Sequence, residues 1–176
     1  MHPRDLPPSP TRRASDLTLT DCALALDEGV ATLTLNRHDV RNAVTGTAII
    51  DDIVAVTAWI NRDQNIKVLV VTGAGSAFCA GGNIKDMAER GPDFGGNAQQ
   101  IAERYRAGVQ RLPLAMQACE APIIAAVNGA AVGAGFDLMN MCDLRLISST
   151  AKMGETFVNL GLIPGDGGAR FLQRAP

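Results

Sequence analysis

The chain has 176 residues, a net charge of −2 and 47% hydrophobic residues. That length holds one domain with a sizeable core, and the composition excludes disorder as the dominant state. The near-neutral balance gives no electrostatic case for nucleic acid or an anionic membrane as partner, and no apolar run approaches the roughly 18–20 residues that cross a bilayer.

Residues 1–20, "MHPRDLPPSPTRRASDLTLT", are rich in proline and lack an amphipathic period, so they read as a disordered leader. Arg4, Arg12 and Arg13 suggest a transit peptide, but Asp5 and Asp16 count against it, and no continuous apolar core marks a secretion signal. "PTRRASDL" also looks like translated adapter DNA, so the leader is expected to be non-native and without function. The structured domain is expected over 21–176.

"CALALDEGVATLTLNR" is two alternating runs around Asp27-Glu28-Gly29, the pattern of a hairpin. "TGTAIIDDIVAVTAWINRD" spaces its apolar residues as a helix does, with Thr45 or Thr47 as candidate caps. "KVLVVTG" predicts a buried strand, and "GPDFGGN" a glycine-rich loop. Residues 98–119 predict a helix that Pro113 should kink or interrupt. "PIIAAVNG" and "DLRLISS" predict strands either side of the small-residue segment "AAVGAGFDLMNMC". A last helix is expected after Gly165, and a chain that stops there is expected to lack its C-terminal part. Alternating strands and helices argue for an α/β layer fold.

Cys22, Cys79, Cys119 and Cys142 form no CxxC pair and have no histidine nearby in sequence. They predict reduced packing residues in a cytoplasmic protein. The two histidines, His2 and His38, make a histidine triad or a histidine-rich metal site a poor expectation.

Two glycine-rich turns follow predicted strands: "TGAGSAFCAGGN" and "VNGAAVGAGFD". A dinucleotide fingerprint needs a third glycine where Phe78 stands, too bulky for close helix–strand packing. No Gly-Lys-Ser or Gly-Lys-Thr occurs, which excludes a P-loop. Either loop alone reads as a tight turn. Together they can offer two backbone N–H donors to one oxygen.

The segments "LNRHDVRNAV", "GSAFCAGGNIKDM", "PIIAAVNGAAVGAGFDL", "CDLRL" and "LGLIPGDGG", in this order, resemble the crotonase superfamily, the enoyl-CoA hydratase and isomerase family. The resemblance runs from about Cys22 to Arg174. It implies a spiral of repeated ββα units, here lacking the C-terminal helical part, and an acyl-CoA thioester as ligand, with coenzyme A entering as part of the substrate and no further cofactor or metal. It further implies that the N–H groups of Ala80 and Ala134 form an oxyanion hole. The second position is often glycine in the family, and alanine keeps the N–H. Chemistry at the α or β carbon of a thioester passes through an enolate, whose charge such donors stabilise by roughly 3–4 kcal/mol each.

By the same resemblance, coenzyme A lies along the "RHDVRNAV" turn and Gly81, Gly82 and Asn83. Arg41 and Lys85 are candidates for its phosphates. Asn42 and Ala43 are expected to shape the turn and the adenine pocket. A homotrimer or hexamer is expected of the full-length family protein.

The family's two carboxylates fall on Asp137 and on Phe157, so the second is missing. Glu155 substitutes for it only where the segment is not helical, and otherwise reads as an acid at a helix N-terminus. Asp166 is expected to cap the last helix or else to reach the pocket. Asp143 is expected either to bind a neighbouring backbone N–H or to serve as a lone acid. Phe157 would narrow and dry the pocket, which raises a carboxylate's pKa. Three readings compete: hydration of a 2-enoyl-CoA with Asp137 as principal acid–base group assisted by Glu155 or another group, double-bond or ring isomerisation through a single carboxylate, and a truncated or degenerate chain that binds acyl-CoA or nothing.

Overall fold

The computed structural model describes residues 16–174. Most of the leader therefore lies outside the described residues. Its last part does not behave as a disordered tail: Leu17 and Leu19 pack against the core, and the Thr20 N–H bonds the Asp52 carboxylate. The ordered domain begins earlier than its composition predicts, because two leucines in a polar stretch are enough to dock it.

Strands β1 (Cys22–Asp27) and β2 (Val30–Leu35) form the expected hairpin, antiparallel, with Asp27 opposite Val30. Glu28 and Gly29 both have positive φ, as a two-residue hairpin loop requires. In β2, Ala31, Leu33 and Leu35 point inward and are fully buried. β3 (Val68–Gly73) pairs parallel with β2 in the same alternation. Its second face is half covered rather than buried, so the continuous apolar run overstated the burial.

Helix α1 (Ile49–Ile60) buries Ile49, Ile53, Val56, Trp59 and Ile60. Neither Thr45 nor Thr47 is its N-cap residue. That position is Ala48, whose N–H donates to Asp21 Oδ2 at 2.6 Å. The Thr47 hydroxyl instead donates to the Ala43 carbonyl, and Thr45 Oγ1 accepts from the Asn83 N–H.

After β4 (Ala77–Cys79) come the short α2 (Ile84–Ala88), α3 (Ala98–Ala107) and α4 (Arg111–Ala118). The break in 98–119 falls at Gly108–Gln110. Pro113 sits in the first turn of α4, where a missing N–H costs no helical bond. Then follow β5 (Ile123–Val127), β6 (Ala130–Val132), α5 (Ala134–Met141), β7 (Leu144–Ile147), β8 (Met153–Gly154) and α6 (Gly168–Phe171).

The strands form two sheets. The larger has the order β1-β2-β3-β5-β7, the smaller β4-β6-β8. From β3 on, the chain gives one strand to the larger sheet, the next to the smaller, then crosses back, largely through helices. This repeated ββα winding is the expected α/β spiral, and it brings the loops after β4 and β6 to the same end of the small sheet.

Apolar side chains on β7 and after β8 face outward. Leu146 is 68% exposed and Ile163 85%, with Leu160 and Leu162 also exposed. Phe171, by contrast, is half-buried against the core. An apolar surface of this kind predicts self-association. Light scattering across a tenfold concentration series should show mass rising with concentration. A monodisperse monomer with a cooperative melt would refute this.

Candidate active site

The turn over residues 37–43 is built around Asn42, which is fully buried with φ of 56°. Its Oδ1 accepts from the Arg37 N–H at 2.9 Å, and its Nδ2 donates to the carbonyls of Ala74 at 3.0 Å and Ala77 at 2.9 Å. One side chain thereby ties the turn to both ends of the first glycine-rich loop. Asn42 and the buried Ala43 shape the turn.

The two glycine-rich loops meet face to face. A Cβ on Gly81 would lie 2.4 Å from the Val132 carbonyl oxygen and 3.0 Å from the Ala134 nitrogen. A Cβ on Gly135 would lie 2.0 Å from the Cys79 carbonyl oxygen. Only glycine allows this approach, so the spacing in both loops serves contact between them. Ala134 is the first residue of α5, and its N–H has no hydrogen bond to the backbone among the described residues. The Ala80 N–H is different: it donates to the Arg41 carbonyl at 3.0 Å. Of the two N–H groups expected as oxyanion donors, that of Ala134 is therefore left without a backbone acceptor and that of Ala80 is occupied. The carbonyl that occupies it belongs to a residue in left-handed conformation, which sequence alone does not reveal.

Beside Ala134 opens a cavity of about 140 Å³. Val44, Ile50, Met87, Phe94, Val109 and Phe157 give it apolar walls, while Arg104, Asp93, Tyr105 and Asp166 add polar groups. Gly82 also lines it. Phe157 is thus part of the cavity's apolar wall.

Three carboxylates converge at this end of the molecule. Asp137 has Asp166 and Glu155 within hydrogen-bonding reach, and burial, followed by those two contacts and their charges, drives its pKa far above the usual carboxylate range. None of the six carboxylate oxygens has a hydrogen-bond donor among the described residues. Glu155 lies in a loop between β8 and a 3-10 turn over Phe157–Leu160, so the condition for its joining the site is met. Asp166 does not cap α6: the N-cap is Gly167, with no side-chain bond. Asp137 is fully buried and does not line the cavity, whereas Asp166 does. Asp143 stands apart, accepting the Ile123 N–H at 2.7 Å. The grouping joins residues from α5, the loop after β8 and the loop before α6. A carboxylate reached across such sequence distances leaves no local signal.

The expected phosphate contacts, Arg41 and Lys85, are exposed and make no ion pair among the described residues. Asn83 caps α2, its side chain accepting from the N–H groups of Lys85 and Asp86. No group of three or more potential ligands able to hold a metal occurs among the described residues.

Comparison with known proteins bears on this geometry. The profile of the enoyl-CoA hydratase/isomerase family matches residues 25–175. A "probable enoyl-CoA hydratase" of Mycobacterium tuberculosis, EchA14, is 42% identical over 156 residues, covering 86% of this chain and 56% of that protein. The crotonyl-CoA hydratase of Syntrophomonas wolfei is 36% identical over 152 residues, covering 86% and 55%. Among solved structures, AtuE of Pseudomonas aeruginosa superposes with a TM-score of 0.76 at 33% identity, covering 88% of this chain and 58% of AtuE. An enoyl-CoA hydratase of Bacillus anthracis superposes with a TM-score of 0.75 at 31% identity, with the same coverage. The chain spans a little over half the length of these relatives. With the family's profile matched across nearly all of the described domain and its ββα winding in place, the chain belongs to the enoyl-CoA hydratase/isomerase family.

Proposed function

We propose that this protein acts on acyl-CoA thioesters through an enolate, and that its reaction is addition of water to a 2-enoyl-CoA. The observation that carries this is the convergence of Asp137, Glu155 and Asp166 next to a cavity at which the Ala134 N–H has no backbone acceptor. Hydration needs groups that take a proton from water and return one to the α carbon. A second carboxylate is available although Phe157 stands at the family's second acidic position. The thioester carbonyl would sit on Ala134 N–H. For Ala80 N–H to join it, the turn at Arg41 must release its carbonyl. The names of the relatives, enoyl-CoA and crotonyl-CoA hydratases, support the same substrate class.

Isomerisation is the second reading, favoured by Phe157 lining the cavity. An apolar wall there suits proton shuttling better than holding water. In this reading too the coenzyme A arm runs past the turn at Arg41–Ala43 and Gly81–Lys85. All four cysteines are free, which suits a reducing compartment such as the cytoplasm. The outward apolar surface suits a homo-oligomer, trimer or hexamer.

The test is mass spectrometry of crotonyl-CoA and of a 3-enoyl-CoA, each incubated with the protein. Gain of one water by crotonyl-CoA is the expected result. Conversion of the 3-enoyl substrate without mass change would favour the isomerase. If neither substrate changes, both catalytic readings fail and a chain that binds without turnover remains.

A further inference from the structure

The Asp166 carboxylate is only 2% exposed, has no hydrogen-bond donor among the described residues, and of the three converging acids it alone lines the cavity. It serves no structural purpose visible in its surroundings, since α6 takes no side-chain cap. Its loop is nevertheless held in place. Gln110 Nε2 donates to the Gly165 carbonyl at 3.0 Å. A Cβ on Gly168 would lie 2.3 Å from Asp137 Oδ1, so the absence of a side chain there lets α6 settle directly onto the Asp137 carboxyl. Asp137 thus adjoins Asp166 and Gly168 but does not itself line the cavity.

We propose, resting on the acyl-CoA reading above, that Asp166 is the catalytic proton carrier of this site and that Asp137 is its positioning residue. Asp137, the family's usual acid position, then acts through Asp166 rather than on the substrate. The steps balance with water alone. An Asp166 oxygen takes a proton from water as the water oxygen bonds to the β carbon. The double-bond electron pair moves onto the thioester oxygen at Ala134 N–H. The proton on Asp166 then passes to the α carbon as the carbonyl re-forms. Asp137, kept protonated by burial, donates to the Asp166 carboxylate and fixes which oxygen faces the cavity. Glu155 borders Asp137 but does not line the cavity, which leaves it supporting the pair from outside.

The experiment compares wild type with Asp166→Asn, Asp166→Glu, Asp137→Asn and Glu155→Gln. It measures crotonyl-CoA hydration against pH, and butyryl-CoA binding by calorimetry as a check on folding. Groups that can colour the pH profile are Asp137, Glu155, Tyr105 and Cys79 around Asp166, and Asp93 and Arg104 on the same cavity. Asp166→Asn is expected to lose at least about 100-fold in kcat and to bind butyryl-CoA within about threefold of wild type. Asp166→Glu should recover at least about a tenth of the lost rate. Asp137→Asn should keep more activity than Asp166→Asn and shift the pH profile. Glu155→Gln should lose clearly less than Asp166→Asn. The proposal is overturned if Asp166→Asn stays within about fivefold of wild type, or if Glu155→Gln is the crippled variant. A wild type inactive on both enoyl-CoAs would instead overturn the proposed function, and this assignment with it.

Discussion

Asp137→Asn is expected to lower turnover at least about tenfold while making the protein more stable above neutral pH. The two effects have one cause. The carboxyl is fully buried, and Glu155 and Asp166 lie against it without any donor among the described residues. Burial first, then those neighbours, raise its folded pKa far above that of the unfolded chain, near ~3.9. Between these two values the folded state holds a proton that the unfolded state has released. Stability from this group is therefore complete below the unfolded pKa and is lost as pH rises toward the folded one. The slope is at most about 1.4 kcal/mol per pH unit. Wild type should thus lose about 1–3 kcal/mol between pH 6 and 8, read from urea midpoints. The asparagine variant should lose less, because its amide still donates to a neighbouring carboxylate but carries no proton to release. Parallel stability curves for the two proteins would contradict the buried-acid account.

The largest loss of stability is expected from Asp52→Ala, at about 3–5 kcal/mol. Asp52 is 4% exposed and sits in the first turn of α1. Its carboxylate accepts the N–H groups of Thr20 at 3.1 Å, Asp21 at 2.7 Å and Cys22 at 2.8 Å. In return Asp21 accepts the Ala48 N–H just before the same helix. The two acids clasp the start of β1 to the start of α1, where a helix N-terminus also favours negative charge. Alanine leaves three backbone donors facing a site with little access to water. Asp52→Asn keeps one acceptor and should lose roughly half as much. Urea denaturation of the three proteins decides the matter: a loss below about 1 kcal/mol for the alanine variant would show that water replaces the carboxylate freely.

Much of the molecule was legible in its order of residues. The hairpin at Glu28-Gly29, helix α1, strands β3, β5 and β7, and the two glycine-rich loops all follow from period, turn chemistry and apolar runs. These are local properties, set within a few residues by sterics and solvent. The family followed from five segments in order, and with it the ββα spiral. Where local reasoning failed, a distant group had intervened. Ala48 stands at the N-cap of α1 where Thr45 or Thr47 was expected, its N–H held by the distant Asp21. The break near Pro113 falls at Gly108, since proline is harmless in a first turn. Asp166 was read as a helix cap because its neighbours look like a helix start.

Only the tertiary structure decided the site. It bonded Ala80 N–H to the Arg41 carbonyl, left Ala134 N–H without a backbone acceptor, and packed Asp137, Glu155 and Asp166 together. Of the three acids it placed only Asp166 on the wall of the cavity. The physical reason is that burial and charge proximity are properties of folded space. Acids on separate elements raise one another's cost of ionisation only after two sheets and two loops have closed around them. Sequence determined which chemical groups are present and which elements carry them. Folding determined which of those groups face one another and which line the cavity.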